Sequence, residues 1–237
     1  MIMFILACIV SFIPCIALFL WLRNHTKGDD PAFKKLCDTA MVRGILAVLP
    51  IILLSGLSYV LLRLTKLQDT SPLLYQALYT FIVLAFMEEL AKYLAFRGVL
   101  KKTDYPCSWL DVTVIMTIVG IGFGLIESVT YAFGASIPVV LVRGISVPHA
   151  GFGFIVGYFY GKAMETGKPF YKGFGFALSW LLHGLYDFSL SQEFIAINEN
   201  LMFVGLSLAL LDIVLVIMAI AFVRRARRCK RICKAII

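Results

Sequence analysis

Long apolar stretches, each about 20 residues in length, follow one another along almost the whole chain and are separated by short polar segments. An α-helix needs about 20 apolar residues to cross the hydrocarbon core of a bilayer. The composition agrees, because 61% of the residues are apolar and 15% are charged, whereas soluble domains have roughly 45–50% and about 25%. We therefore predict an all-α fold, a polytopic bundle of about seven transmembrane helices, at about 2–22, 41–62, 73–96, 112–134, 138–161, 173–191 and 201–223.

Lysine and arginine are unevenly distributed between these spans. The fourth and sixth connections have none, the first, third and fifth are basic, and seven of the 22 Lys and Arg residues lie in the C-terminal segment RRARRCKRICK. Because basic loops stay on the cytoplasmic side, we predict an outside N-terminus and a cytoplasmic C-terminus. One membrane domain over 1–223 and a basic tail over 224–237 are expected. The basic residues lie at the ends of apolar runs, so the expected partner is the lipid bilayer and not nucleic acid.

Three ionisable residues lie inside span three, in the segment FMEELAKYLAF: Glu88, Glu89 and Lys92. Such groups cost roughly 2.5–3.5 kcal/mol each at the centre of a bilayer, so they are rare there and usually functional. Glu88 and Lys92 are four residues apart and can neutralise each other on one helix face, whereas Glu89 points about 100° away from Glu88. One carboxylate can therefore be held by Lys92 while the other faces a cavity.

Further ionisable residues lie inside the next three predicted spans. Glu127 is in span four, His149 in span five, and His183 with Asp187 in span six. His183 and Asp187 are four residues apart, so Asp187 can be a metal ligand or can orient the imidazole. Pro148 removes one helical hydrogen bond, and the resulting distortion would help direct His149 inward.

Two histidines and several carboxylates around a cavity can form a hydrolytic zinc site, which takes about three protein ligands and leaves one position open. Zinc lowers the pKa of water towards neutrality, and a nearby glutamate can take the proton. The sequence lacks HExxH, which excludes a zincin helix. Other interpretations stay open: the histidines can be hydrogen-bonded packing residues, the Glu–Lys pair can be structural, and the whole set can be a proton relay.

The order of these residues resembles the PrsW family of intramembrane metalloproteases, which is related to the CAAX-protease and bacteriocin-processing superfamily. The resemblance covers about residues 73–190. It depends on the ordered set Glu88-Glu89-x-x-Lys92, Phe123-x-x-x-Glu127, His149 and His183-x-x-x-Asp187.

The resemblance implies a zinc-dependent endopeptidase with its catalytic core at about 73–190, acting on a membrane-anchored protein in a bacterial cell membrane. The best-known role in the family is cleavage of an anti-sigma factor. Ser128 departs from the pattern, since many members have Asn after the glutamate. Carried over onto this chain, the family's catalytic residues are Glu88, Glu89 and Lys92, either glutamate being the base, and its metal-site residues are Glu127, His149, His183 and Asp187.

The depths of the carboxylates are an additional constraint. At 1.5 Å per residue, Glu88 lies about 13 Å from the inner end of span three, and Glu127 lies roughly 23 Å from the inner end of span four. Straight, upright helices would keep the two apart. Helix tilt, a bend at the glycine run before Glu127, or a later start of span four has to close the gap if both belong to one site.

Two other functions are considered beside the protease. A proton-coupled transporter or channel also places carboxylates and histidines at the membrane midplane, but such proteins often have paired repeats, and no repeat is evident in this sequence. A catalytically inactive relative that binds a membrane partner would be favoured by the loss of a motif residue, and all the motif positions are occupied. The protease is therefore the preferred prediction.

Overall fold

The computed structural model describes residues 2–134, 144–145, 147–197 and 199–236. Within these ranges it contains helices and no β-strand, which confirms the all-α prediction. A π-helix spans Tyr79–Phe86, and a short 3₁₀-helix spans Glu199–Leu201. The α-helices are α1 (Ile2–His25), α2 (Pro31–Leu46), α3 (Val48–Leu64), α4 (Leu67–Thr70), α5 (Pro72–Leu78), α6 (Met87–Lys101), α7 (Trp109–Gly134), α8 (Pro148–Thr166), α9 (Phe170–Ser189), α10 (Gln192–Ile195) and α11 (Met202–Ile236).

Long apolar helices make the chain an integral membrane protein. Among the described residues, four segments are long and apolar enough to cross a bilayer: Pro31–Leu64, Pro72–Lys101, Trp109–Thr130 and Met202–Arg228. The first of these joins α2 and α3, which are separated at Ala47. The number of seven spans stays a prediction.

The helix α7 runs through the centre of the bundle. Of its apolar window, 78% is buried, against 17–28% for the other three candidate spans, and α1, α2 and α8 pack around it. A side chain on Gly120 would collide with the carbonyl of His149, and one on Gly122 with the carbonyl of Met41. The glycine run therefore permits close packing of helices, and α7 continues through it as one helix.

The N-terminus of α2 differs from the prediction. The helix begins at Pro31, about ten residues before the predicted start of span two. The carboxylate of Asp30 accepts hydrogen bonds from the backbone N–H groups of Ala32 and Phe33, and Pro31 occupies the first turn, where its missing N–H is not needed. This capped start is a polar extension of the apolar run, which a hydropathy pattern does not detect.

The C-terminus of α6 also lies beyond the prediction. The helix continues to Lys101, five residues past the predicted end of span three. This moves Glu88 about 7–8 Å further from the inner end of its helix, towards the depth of Glu127. The helix α7 also begins earlier than predicted, at Trp109 instead of residue 112, which moves Glu127 about 4–5 Å further from the start of its helix. The two shifts therefore close only part of the predicted depth gap, and helix tilt has to close the rest.

The prediction that Pro148 distorts the middle of a span is wrong. Pro148 is the first residue of α8, where it removes no helical hydrogen bond. Val147 before it has φ 49°, in the left-handed region that β-branched residues rarely adopt. The chain therefore turns sharply into α8, and His149 is the second residue of that helix. Residues 138–143 and 146 of the predicted span lie outside the described residues.

Candidate metal centre

The first two turns of α6 bring Glu88, Glu89 and Lys92 into the protein interior, where their exposed fractions are 6%, 0% and 0%. The π-helix ends immediately before this segment, and π-helical turns are often found at functional sites. The indole N–H of Trp180 on α9 donates to the carbonyl of Phe81 in the π-helix at 2.7 Å. This contact holds the π-helix, which leads directly into α6, against α9.

Both carboxylate oxygens of Glu89 accept hydrogen bonds. One oxygen lies 2.5 Å from Lys92 Nζ and 2.9 Å from His183 Nδ1, and the other accepts from the hydroxyl of Ser179 at 2.9 Å. Lys92 thus pairs with Glu89, three residues before it, and the hydrogen bond to Glu88 that the four-residue spacing allowed is not formed. Ser179 was not predicted as a site residue, because its position one turn before His183 is the only signal for it in the sequence.

Lys92 also reaches a histidine from another helix. Its Nζ lies 2.9 Å from His149 Nδ1 and 4.8 Å from the centre of the Phe123 ring. Because an ammonium only donates hydrogen bonds, the imidazole accepts at Nδ1 and has its own proton on Nε2. That nitrogen contacts Glu127 Oε2. Lys92 therefore holds Glu89 and His149 together and sets the orientation of the His149 ring.

The position of His149 depends on a glycine of α7. A Cβ atom on Gly124 would lie 3.0 Å from Cδ2 of the imidazole, so only glycine leaves the ring its present place. The ring also packs beside Phe123, with 5.2 Å between the ring centres. Glu127 follows Gly124 by three residues on the same face of α7, and this brings its carboxylate to His149.

The two ring nitrogens of His183 face different groups. Nδ1 is bonded to Glu89, whereas Nε2 lies 3.6 Å from Glu88 Oε2 and 3.2 Å from Asp187 Oδ2. The ring of Phe152 stacks on the imidazole with the ring centres 4.8 Å apart. Glu89 thus orients the imidazole through Nδ1, and Asp187 lies at the nitrogen that also faces Glu88.

The residues present fit a divalent metal ion. Among the described residues, ligand atoms of Glu88, His149 and His183 lie within 4.8 Å of one another, and all three residues are buried. In the same part of the chain, Glu88 Oε2 and His183 Nε2 are buried without a hydrogen-bond partner; the 3.2 Å contact between His183 Nε2 and Asp187 lacks the alignment of a hydrogen bond. Such atoms are rare in proteins, and a bound ion is one established reason for them. Imidazole and carboxylate are ligands that zinc prefers.

A cavity of about 580 Å³ reaches this group from the side of α3. Glu88, Phe123 and Glu127 line it together with residues of α3 and the π-helix. Its volume is within the range of small-molecule and substrate sites. Glu88 is therefore open to a cavity, whereas Glu89 is enclosed.

All the residues predicted for the site lie close together, although they come from four helices. The helix α6 contributes three of them, α9 two, and α7 and α8 one each. They are Glu88, Glu89, Lys92, Glu127, His149, His183 and Asp187.

A family model of PrsW family intramembrane metalloproteases matches residues 34–223, which is most of the chain. The chain belongs to the PrsW family. It is therefore a membrane metalloprotease, as predicted, and the transporter alternative is not favoured. The buried Glu/His/His group supplies side chains that could bind the metal of such an enzyme.

Similar proteins include three that are named Protease PrsW. The one from Oceanobacillus iheyensis is 28% identical over 184 residues, covering 75% of this chain and 79% of the relative. The one from Clostridioides difficile is 27% identical over 196 residues, covering 78% and 79%, and the one from Geobacillus kaustophilus is 29% identical over 115 residues, covering 46% and 51%. No solved structure matches the chain.

Proposed function

We propose that this PrsW-family protein holds one zinc ion and hydrolyses a peptide bond of a membrane-anchored protein. The proposed ligands are His149, His183 and Glu127, with Asp187 as a further carboxylate beside His183 Nε2. The observation that supports this most is the convergence of the His149 and His183 imidazoles with the Glu88 carboxylate, which would place the proposed base next to the metal. Glu88 Oε2 and His183 Nε2 have no hydrogen-bond partner among the described residues. When bound, zinc would polarise the scissile carbonyl and lower the pKa of water.

Glu88 is the proposed general base. Its Oε2 has no hydrogen bond within the described part of the chain, and the side chain lines the cavity. It can take a proton from a water molecule in that cavity and deliver it to the leaving amine. Glu89 is a positioning residue, because its oxygens are engaged by Lys92, His183 and Ser179.

Protons must leave the site when a metal binds. Because Lys92 donates to His149 Nδ1, the imidazole has its own proton on Nε2. A metal that binds to Nε2 replaces this proton, so the group formed by Lys92, His149 and Glu127 loses one proton. Metal affinity should therefore fall as the pH is lowered. A titration of zinc binding between pH 6 and pH 8 measures this dependence.

The finer statements on topology and substrate are also proposals. An outside N-terminus and a cytoplasmic C-terminus are supported by the uneven distribution of Lys and Arg between the spans. Cleavage of an anti-sigma factor, and a wider relation to the CAAX-protease and bacteriocin-processing superfamily, are supported only by the resemblance of the motifs.

The metal content of the purified protein tests the proposal. We expect about one zinc per chain in the wild type, none in His149→Ala or His183→Ala, and wild-type zinc in Glu88→Gln. Glu165→Gln, an exposed glutamate on α8, is the matched control. A well-folded wild type without metal would contradict the zinc mechanism, and loss of zinc in Glu88→Gln would make Glu88 a ligand and not the base.

Cleavage is measured in parallel. Each variant is incubated with the membrane fraction of the expression host, and new protein N-termini are quantified by mass spectrometry. Glu88→Gln should lower their rate of formation by about 10²–10⁴-fold, and Glu165→Gln should not change it. A wild type that binds zinc but forms no Glu88-dependent product would indicate an inactive, partner-binding protein.

A further inference from the structure

The cavity beside the metal centre continues along α3 and the π-helix. Ser55, Gly56 and Tyr59 of α3 line one wall, Tyr79 of the π-helix lines another, and Glu88 is among its acidic lining residues. The hydroxyl-bearing residues and the carboxylate are thus parts of one continuous space.

The helix α3 is the loosely packed wall of this space. Only Val48 and Ile51 of its residues are buried, and large apolar side chains such as Leu53 and Leu57 are 76% and 58% exposed. α3 packs against the π-helix and α6, and Tyr59 contacts Tyr79 with the ring centres 6.0 Å apart. Because so little of α3 is buried, α3 is the wall of the cavity that can move aside most easily towards the lipid.

The lining suits an unwound peptide. A protease needs its substrate in an extended form, and inside a membrane each backbone N–H and C=O of such a segment must find a partner. Hydroxyl groups both donate and accept hydrogen bonds, and Tyr59 and Tyr79 provide them along the cavity. The hydroxyls of Ser55 and Thr130 also line it; they donate to backbone carbonyls of their own helices and can still accept. Apolar side chains make up much of the remaining surface, which suits the side chains of a membrane-embedded segment.

We propose that the scissile segment of the substrate enters sideways between α3 and the π-helix and passes against Gly56 to reach Glu88. This inference rests on the proposed function and adds a route and a contact residue to it. Gly56 has no side chain, so a peptide backbone can approach α3 closely there.

The surroundings of Gly56 make a sharp test possible. A Cβ atom at Gly56 would meet nothing within 4 Å, and Gly56 lines a cavity of about 580 Å³, which offers room for a larger side chain. Gly173 on α9 also has nothing within 4 Å, and it does not line the cavity. It is therefore a matched control for the effect of placing a side chain on an open helical glycine.

The experiment compares Ala, Leu and Trp at position 56 with the same residues at position 173. The readout is the rate of formation of Glu88-dependent N-termini in the membrane fraction of the expression host. Because a misplaced substrate reacts slowly, Gly56→Leu and Gly56→Trp should lower this rate by roughly tenfold to a hundredfold. Gly56→Ala should lie between the wild type and Gly56→Leu, and the Gly173 series should stay near the wild-type rate. A wild-type rate in Gly56→Trp would overturn the inference.

Zinc content and thermal stability are measured on every variant. We expect no change in Gly56→Trp, and a loss of either would contradict the open space on which the route depends. If the wild type itself forms no Glu88-dependent product, the proposed function is wrong and the route has no basis. Products in the wild type with an unaffected Gly56→Trp overturn the route alone, so the two failures can be told apart.

A cross-linking experiment detects the contact without cleavage. The double variant Glu88→Gln, Gly56→Cys is combined with a substrate identified in the wild type, which has one cysteine placed next to its cut site. A disulfide should form at position 56 and not in the matched Glu88→Gln, Gly173→Cys variant. Equal cross-linking at both positions would overturn the proposed route.

Discussion

Replacement of Lys92 by methionine tests the central contact of the site. The substitution keeps the length of the side chain and removes the charge that lies 2.5 Å from Glu89, and both side chains are 0% exposed. Removing one partner of a buried ion pair typically costs about 3–5 kcal/mol, because the other charge stays buried without compensation. We therefore expect Lys92→Met to lower the free energy of unfolding by about 3–5 kcal/mol.

A double-mutant cycle identifies the partner of Lys92. Glu89→Gln removes the charge that Lys92→Met leaves behind, so the double variant should be less destabilised than the sum of the single variants, by about 1–3 kcal/mol. Glu88→Gln is the matched comparison, because Glu88 is adjacent in sequence and makes no hydrogen bond to Lys92 in the structure. Its coupling with Lys92→Met should be clearly smaller.

The unfolding free energies can be measured by titrating the protein from lipid–detergent bicelles into SDS and following tryptophan fluorescence. Lys101→Met, an exposed lysine on the same helix, should change the free energy by less than about 0.5 kcal/mol. A coupling energy with Glu88 that equals or exceeds the coupling energy with Glu89 would refute the assignment of the ion pair.

Three other changes test single features of the structure. Ser179→Ala removes a hydrogen bond to the Glu89 carboxylate and should cost about 1.5–3 kcal/mol in the same titration. Gly124→Ala places a methyl group against the imidazole of His149, and should cost about 1–3 kcal/mol and lower the metal content. Two hydrogen bonds hold the pKa of Asp30 below its usual range. The bond from the backbone N–H of Phe33 has the larger effect, and the bond from the hydroxyl of Tyr105 has the smaller one. The Asp30 carboxylate therefore stabilises the fold above the unfolded-state pKa, near 4, and this contribution is lost as the pH falls through the lower, folded-state pKa. Asp30→Ala should lower the Tm at pH 7, and the difference from wild type should shrink towards pH 3.

Several features could be predicted from the sequence because each depends on local chemistry. Apolar runs long enough to cross a bilayer indicate helices, since only helices and closed barrels satisfy the backbone in lipid. Ionisable residues inside such runs mark a site, because their insertion is costly. These two rules identified the helical class and the residues Glu88, Glu89, His149 and His183 that the structure brings together.

Other features depend on tertiary packing and could not be predicted. The spacing of Lys92 allowed a bond to Glu88 or to Glu89, and the choice follows from α9, which places His183 and Ser179 beside Glu89. The start of α8 at Pro148 depends on the turn at Val147, for which a hydropathy pattern has no signal. Local geometry limits the contacts that these residues can make, and the neighbouring helices decide which of these contacts form.

The adjacent glutamates have different surroundings, which suit the different tasks proposed for them. Glu89 accepts hydrogen bonds from Lys92, His183 and Ser179, so it cannot take a proton without releasing the groups that it positions. Glu88 is turned about 100° away on the helix, towards the cavity, and no described residue makes a hydrogen bond to its Oε2. It can take a proton without disturbing the site. Glu89→Gln should therefore lower zinc content and stability together, whereas Glu88→Gln should lower only the rate of cleavage. Equal loss of zinc in both variants would contradict this division of tasks.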